Sequence, residues 1–151
     1  MRRRVVSTES EMIALGGEIA WQLRAGDLIL LDGPLGAGKT VFARGIGMGL
    51  GVEPPVTSPT FVISRMHQGT LPLIHVDAYR LLAVSEGAGV ALDDLDLDSE
   101  RTNSVTVMEW GKEIGPRLSD EYLLVRIERR DDDQREVNFE VHGQRWEELQ
   151  I

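Results

Sequence analysis

The stretch LILLDGPLGAGKT, Leu28 to Thr40, is an apolar run followed by a glycine-rich turn that closes on Lys39 and Thr40. It fits the phosphate-binding pattern Gly-x-x-x-x-Gly-Lys-Thr, with Gly33, Gly38, Lys39 and Thr40 in the specified positions. Leu28 to Leu31 read as a buried strand, because a short apolar run bounded by turn residues suits a parallel sheet covered on both faces. Gly33, Gly36 and Gly38 allow a sharp turn and let the backbone approach an anion, whose oxygens the N–H groups can cradle. A helix starting near Gly38 adds unpaired N–H groups and the positive end of its dipole. Lys39 then supplies a mobile charge for the outer phosphates, and the Thr40 hydroxyl is placed to ligate Mg²⁺. The chain has two lysines, Lys39 and Lys112, against fourteen arginines, so one of two lysines falls where a compact ammonium is wanted.

Upstream, Arg2 to Val6 read as a short strand, and Thr8 with Glu11 forms a capping box opening a helix. Met12, Leu15, Ile19 and Leu23 follow at helical spacing, with Gly26 as its stop. Downstream, the helix at about Lys39 to Leu50 carries Gly45, Gly47 and Gly49, each costing up to ~1 kcal/mol relative to alanine. It therefore needs outside support, for which close packing on the sheet and a bound phosphate are the candidates.

Val52 to Phe61 is proline-rich and reads as a loop. Ser58 and Thr60 within it are candidate switch residues of the kind that sense a γ-phosphate, although a solvated turn explains them equally well. Phe61 to Met66 and Leu71 to Asp77 read as a hairpin around Gln68 and Gly69. Asp77 ends the second strand, and ligands of open α/β sheets bind beyond such carboxyl ends. His75 shares its face and reads as a packed, hydrogen-bonded histidine rather than a catalyst. Val84 to Ser104 is acidic and reads as a solvated loop or short helix. Val105 to Trp110 is a second apolar run closing on an acid, Glu109, so two carboxylates can converge near the γ-phosphate. Tyr122 to Glu128 and Glu136 to Val141 read as half-exposed antiparallel strands, and Arg145 to Leu149 as a short closing helix.

A chain of 151 residues with 42% hydrophobic and 27% charged residues is expected to form one globular domain, residues 1–151. The lack of cysteine excludes disulfides and thiolate sites, and agrees with a cytoplasmic address. No apolar run approaches the ~20 residues of a membrane span. A net charge of −9 weighs against binding nucleic acid alone, so any RNA is expected to be held by a partner.

GPLGAGKT, SPTF at Ser58 to Phe61, HVDAYRL at His75 to Leu81 and MEW at Met108 to Trp110, in this order and spacing, closely resemble the TsaE family of small bacterial ATPases of tRNA threonylcarbamoyladenosine biosynthesis. The likeness runs from about Thr8 to Val141. It implies an α/β fold, a P-loop three-layer sandwich whose mixed sheet has a parallel core and added antiparallel strands. It also implies ATP and Mg²⁺ as cofactors, with Thr40 and Glu109 on the metal and Asp77 supporting hydrolysis at the phosphates. Gly33, Leu35, Gly36, Ala37, Gly38 and Lys39 would cradle the nucleotide, and Glu9, Lys112 and Arg135 would line it. Ser58 and Thr60 would form the switch, and Trp110 would be important for activity. The implied partners are TsaB and TsaD, which transfer the threonylcarbamoyl group to tRNA and which ATP hydrolysis would reset. Pro34, Gly111 and Gln134 depart from the family pattern, and Gln134 makes the fit of Arg135 the weakest. The rival from another class is an adaptor that binds ATP to change shape without needing hydrolysis.

Overall fold

A computed structural model describes residues 2–56, 64–78 and 100–151. Its centre is one seven-stranded sheet: β1 (Arg2–Val6), β2 (Leu28–Asp32), β3 (Ser64–His67), β4 (Leu73–Asp77), β5 (Val105–Glu109), β6 (Tyr122–Arg129) and β7 (Arg135–His142), in the order β1-β7-β6-β2-β5-β4-β3. Strands β6, β2, β5 and β4 run parallel, while β7, β1 and β3 add antiparallel edges. This is a mixed α/β sheet with a parallel core. Among the described residues no helix is long and apolar enough to cross a membrane.

Side chains alternate across the sheet, as the two-residue period requires. Ile29, Leu31, Leu73, Val107, Leu123 and Val125 face the helices α1 (Glu9–Ala20) and α2 (Lys39–Gly49). Leu28, Leu30, Ile74, Val76, Met108 and Leu124 face the other way, under Ile114 and Leu118 beside a 3-10 turn at Gly115–Arg117. Both faces of the central strands are therefore covered, as the LILL run requires. Ser58, Thr60, the Phe61 end of the expected hairpin strand, Arg80 and the acidic run at 84–99 lie outside the described residues.

Several expectations shift at their edges. Thr8 caps α1 by accepting from the Glu11 N–H at 3.1 Å, but the Glu11 carboxylate reaches Ser7 N–H at 2.7 Å, one residue beyond the usual box. Helix α1 stops at Ala20, not Gly26: the Gln22 and Leu23 N–H groups bond to the Ile19 and Ala20 carbonyls, three residues back, and the Gln22 carbonyl is taken by Arg145 Nη2 at 2.7 Å. Leu23 still packs into the core, which prolonged the periodic signal. Strand β6 is not half-exposed: Leu123, Leu124 and Val125 are all buried, because β6 pairs with β2 on one side and β7 on the other. The closing helix shortens to a 3-10 turn at Gln144–Trp146.

Two of the three glycines of α2, Gly45 and Gly49, are explained by α1, whereas Gly47 packs against Val56, Val52 and, on β4, Leu73. A Cβ on Gly45 would lie 2.3 Å from the Ile13 carbonyl oxygen, and one on Gly16 would lie 2.5 Å from that of Phe42. The two helices touch backbone to backbone there. Gly45→Ala is thus expected to destabilise the fold by about 2 kcal/mol, since overpacking against a backbone atom outweighs the ~1 kcal/mol gain in helix propensity. Gly17, whose nearest such neighbour is 3.9 Å away, has room for a methyl, and Gly17→Ala should be neutral or slightly stabilising. Paired thermal melts of the two variants check this.

Candidate nucleotide and metal site

The parallel core brings four strand ends to one edge of the sheet. Register places Leu31 opposite Glu109, and Glu109 opposite Asp77 on its other side. The loop after β2 turns at this edge with positive φ at Gly33, Gly36 and Gly38. At Gly33 glycine is obligatory twice over, because φ is 149° and a Cβ would lie 2.3 Å from the Ile127 carbonyl oxygen. Gly38 is the N-cap of α2 and no side chain caps that helix. Its first helical bond runs from Phe42 N–H to the Gly38 carbonyl at 2.9 Å, so the N–H groups of Lys39, Thr40 and Val41 aim past the helix end.

Three segments distant in sequence meet here. The Thr40 hydroxyl donates to Glu109 Oε1 at 2.9 Å, joining the start of α2 to the end of β5. His75 Nε2, from β4 beneath α2, donates to Glu109 Oε2 at 2.5 Å. Lys39 Nζ donates to the carbonyls of Gly33 at 2.6 Å and Pro34 at 2.9 Å, and lies 3.9 Å from the centre of the Trp110 ring. Trp110 reaches that position with φ of 61°, its N–H held by the Leu31 carbonyl at 2.8 Å. Burial lowers the pKa of Lys39 below the usual lysine range, against the opposing pull of the Glu109, Asp32 and Asp77 carboxylates.

Two cavities flank the loop. One, of about 460 Å³, is lined by Leu35, Gly36, Gly38, Lys39, Thr40, Val41, Asp77, Glu109 and Trp110. The other, of about 210 Å³, lies between the loop, the start of α1 and the β6–β7 turn, and includes Glu9, Ala37, Asp133 and Arg135. Arg135 Nε donates to the Ala37 carbonyl at 3.1 Å, and Gln134 Nε2 to Ser7 Oγ at 2.8 Å, so the departure at Gln134 does not keep Arg135 from the loop. Glu9 is 3.4 Å from Arg44, whose Nε also donates to the Val56 carbonyl at 3.1 Å.

Of the residues expected at the site, Lys112 alone among those described stands apart from the loop and both cavities, 4.0 Å from Asp32. Gly33 contributes through its carbonyl rather than as cavity wall. Val41 and Asp133 line the cavities without having been singled out in the sequence. Val41 carried only the signal of adjacency to Thr40, and Asp133 only that of a charged turn. For the contact from His75 to Glu109 the sequence signalled only a packed, hydrogen-bonded histidine two positions before Asp77, without its partner.

A Thr hydroxyl beside a buried carboxylate is a hard oxygen donor set suited to Mg²⁺, which takes one or two protein ligands and fills the rest with phosphate and water. The described residues hold no cluster of three or more His, Cys, Asp or Glu that could hold a metal ion.

Residues 6–137 match the family model described as "Threonylcarbamoyl adenosine biosynthesis protein TsaE". The tRNA threonylcarbamoyladenosine biosynthesis protein TsaE of Streptomyces coelicolor is 47% identical over 142 residues, covering 89% of this chain and 93% of that protein. That of Mycobacterium tuberculosis is 49% identical over 124 residues, 79% of this chain and 74% of its own length. Bacillus subtilis TsaE is 39% identical over 151 residues, 99% and 90% of the two chains. The crystal structure of Bacillus subtilis YdiB superposes with a TM-score of 0.78 at 33% identity, over 97% of this chain and 88% of that one. With a P-loop fold, the loop and carboxylates at one sheet edge, and this likeness over most of its length, the chain belongs to the TsaE family, which takes part in tRNA threonylcarbamoyladenosine biosynthesis.

Proposed function

We propose that the protein is an ATPase that hydrolyses ATP with Mg²⁺ in support of TsaB and TsaD during threonylcarbamoyladenosine modification of tRNA, in the cytoplasm. The observation that carries the reading is the Thr40–Glu109 contact beside the phosphate loop. It joins the two oxygen donors a nucleotide-bound Mg²⁺ needs at the point where the helix N–H groups and Lys39 converge. When bound, Mg²⁺ would neutralise charge on the outer phosphates, held by Thr40 and Glu109.

The chain's own groups would do the rest by positioning and electrostatics. The N–H groups of the loop and of the first turn of α2 bind phosphate oxygens. Lys39, already stripped of much of its water, exchanges loop carbonyls for phosphate. With Glu109 assigned to Mg²⁺, the role of orienting the attacking water is given to Asp77, its neighbour in register on β4. Glu9 and Arg135 would line the nucleoside end from the second cavity.

Neither Arg44 nor Arg135 is aimed at the outer-phosphate cavity, since each is hydrogen-bonded to backbone elsewhere. Slow hydrolysis by the isolated protein and faster turnover with TsaB and TsaD are therefore expected. Phosphate release from MgATP, with and without the partner pair, tests this alongside melting curves. Saturating MgATP should raise Tm by several degrees, about 3 kcal/mol of linkage at a hundred times Kd. An unchanged melt, or unstimulated turnover at tens per second, would contradict the reading.

A further inference from the structure

We infer that His75 is a positioning residue for the metal ligand Glu109, rather than a packed core histidine. The inference rests on the assignment of Glu109 to Mg²⁺ made above.

His75 is fully buried, with Leu73 before it on the same face of β4 and Val107 opposite it in register. An apolar side chain would fill that space without penalty. The imidazole instead buries Nδ1 with no hydrogen-bond partner among the described residues, which is costly for a polar atom away from water. Against that cost it makes one polar contact, from Nε2 to Glu109 Oε2. The carboxylate can only accept, so the shared proton sits on Nε2 in the direction of Glu109. Glu109 Oε1 receives Thr40. The carboxylate is thus held from two sides, by a helix start above and a strand floor below, with its plane fixed before any cation arrives. A glutamate has three side-chain torsions, and a buried donor on the neighbouring strand removes the freedom of the last. Outer groups of this kind commonly tune metal affinity ten- to a hundredfold.

The test separates a polar contact from mere filling of space. His75→Leu and His75→Asn remove the contact, the first keeping an apolar filling and the second a polar one too short to reach. His75→Gln restores an N–H near the Nε2 position. ATP affinity in EDTA and the Mg²⁺ concentration dependence of ATP binding are read from intrinsic tryptophan fluorescence or calorimetry, with circular dichroism and melts as folding controls. The expected result is Mg²⁺ affinity of the ATP complex lowered about tenfold or more in Leu and Asn, recovered to within about threefold in Gln, and ATP affinity in EDTA within about twofold throughout. If Leu or Asn folds and binds Mg²⁺·ATP as the parent does, or if Gln is as impaired as Asn, His75 is a packing residue and the inference fails. Loss of ATP affinity in EDTA together with Mg²⁺ affinity would also overturn it, since that marks general disruption. A parent protein with no Mg²⁺-dependent ATP binding would sink the assignment of Glu109 and this inference with it.

Discussion

Glu109→Gln is expected to cut MgATP turnover by about a hundred- to a thousandfold while ATP affinity in EDTA changes little. The substitution keeps the shape that fills the gap between Thr40 and His75, but replaces one acceptor oxygen by an N–H₂ and removes the charge. Thr40 then faces a neutral amide and the hard donor pair is broken, whereas the loop N–H groups and Lys39 are untouched. Single-turnover phosphate release and nucleotide binding in EDTA separate these effects. The same variant, with Asp77→Ala, decides between enzyme and adaptor. Reconstituted tRNA modification that persists with hydrolysis abolished would establish the adaptor, and modification that stalls would establish a hydrolytic cycle.

Arg145→Ala is expected to lower stability by about 3 kcal/mol, or Tm by roughly 6–12 °C, the largest loss foreseen for a residue remote from the loop. Arg145 grips Asp27 with two nitrogens, Nε to Oδ1 at 2.8 Å and Nη2 to Oδ2 at 2.6 Å, and Nη2 also takes the Gln22 carbonyl. Asp27 is 5% exposed, so removing its partner strands a carboxylate away from water. The guanidinium also lies 4.6 Å from the Trp146 ring centre. Arg145→Lys should recover less than half of the loss, because one ammonium cannot serve both carboxylate oxygens and the carbonyl. A Tm within about a degree of the parent for Arg145→Ala would show the pair to be dispensable.

The phosphate loop, its flanking strand and helix, and the two acid-terminated strands were legible because each is a local pattern: a run, a turn, a closing residue. Strand β6 was misjudged for the opposite reason. Its burial depends on β2, which lies far away in sequence and pairs with the side of β6 opposite the β7 hairpin, and the consecutive Leu123, Leu124 and Val125 were the only hint. The triplet of glycines in α2 signalled close approach but not to what, since a methyl group's worth of space looks the same against a sheet or a helix. At the site, residue identities came from motif and resemblance. The pairing of Thr40 with Glu109 depends on how the start of α2 sits at the end of β5, and that of Glu109 with His75 on how β4 lies beside β5, neither of which spacing alone encodes. Lys112 illustrates the converse, a motif neighbour whose side chain turns to Asp32 instead.

The Thr40–Glu109 bond spans 69 positions along the chain, and it closes only when β5 has slotted between β2 and β4. Contacts of such separation carry a loop-closure cost that slows their formation. A half-assembled molecule would own the glycine turn but no opposing carboxylate, so on the proposed reading magnesium-dependent capture of nucleotide would report completed assembly. During expression or refolding, that capture would become a gauge of maturation.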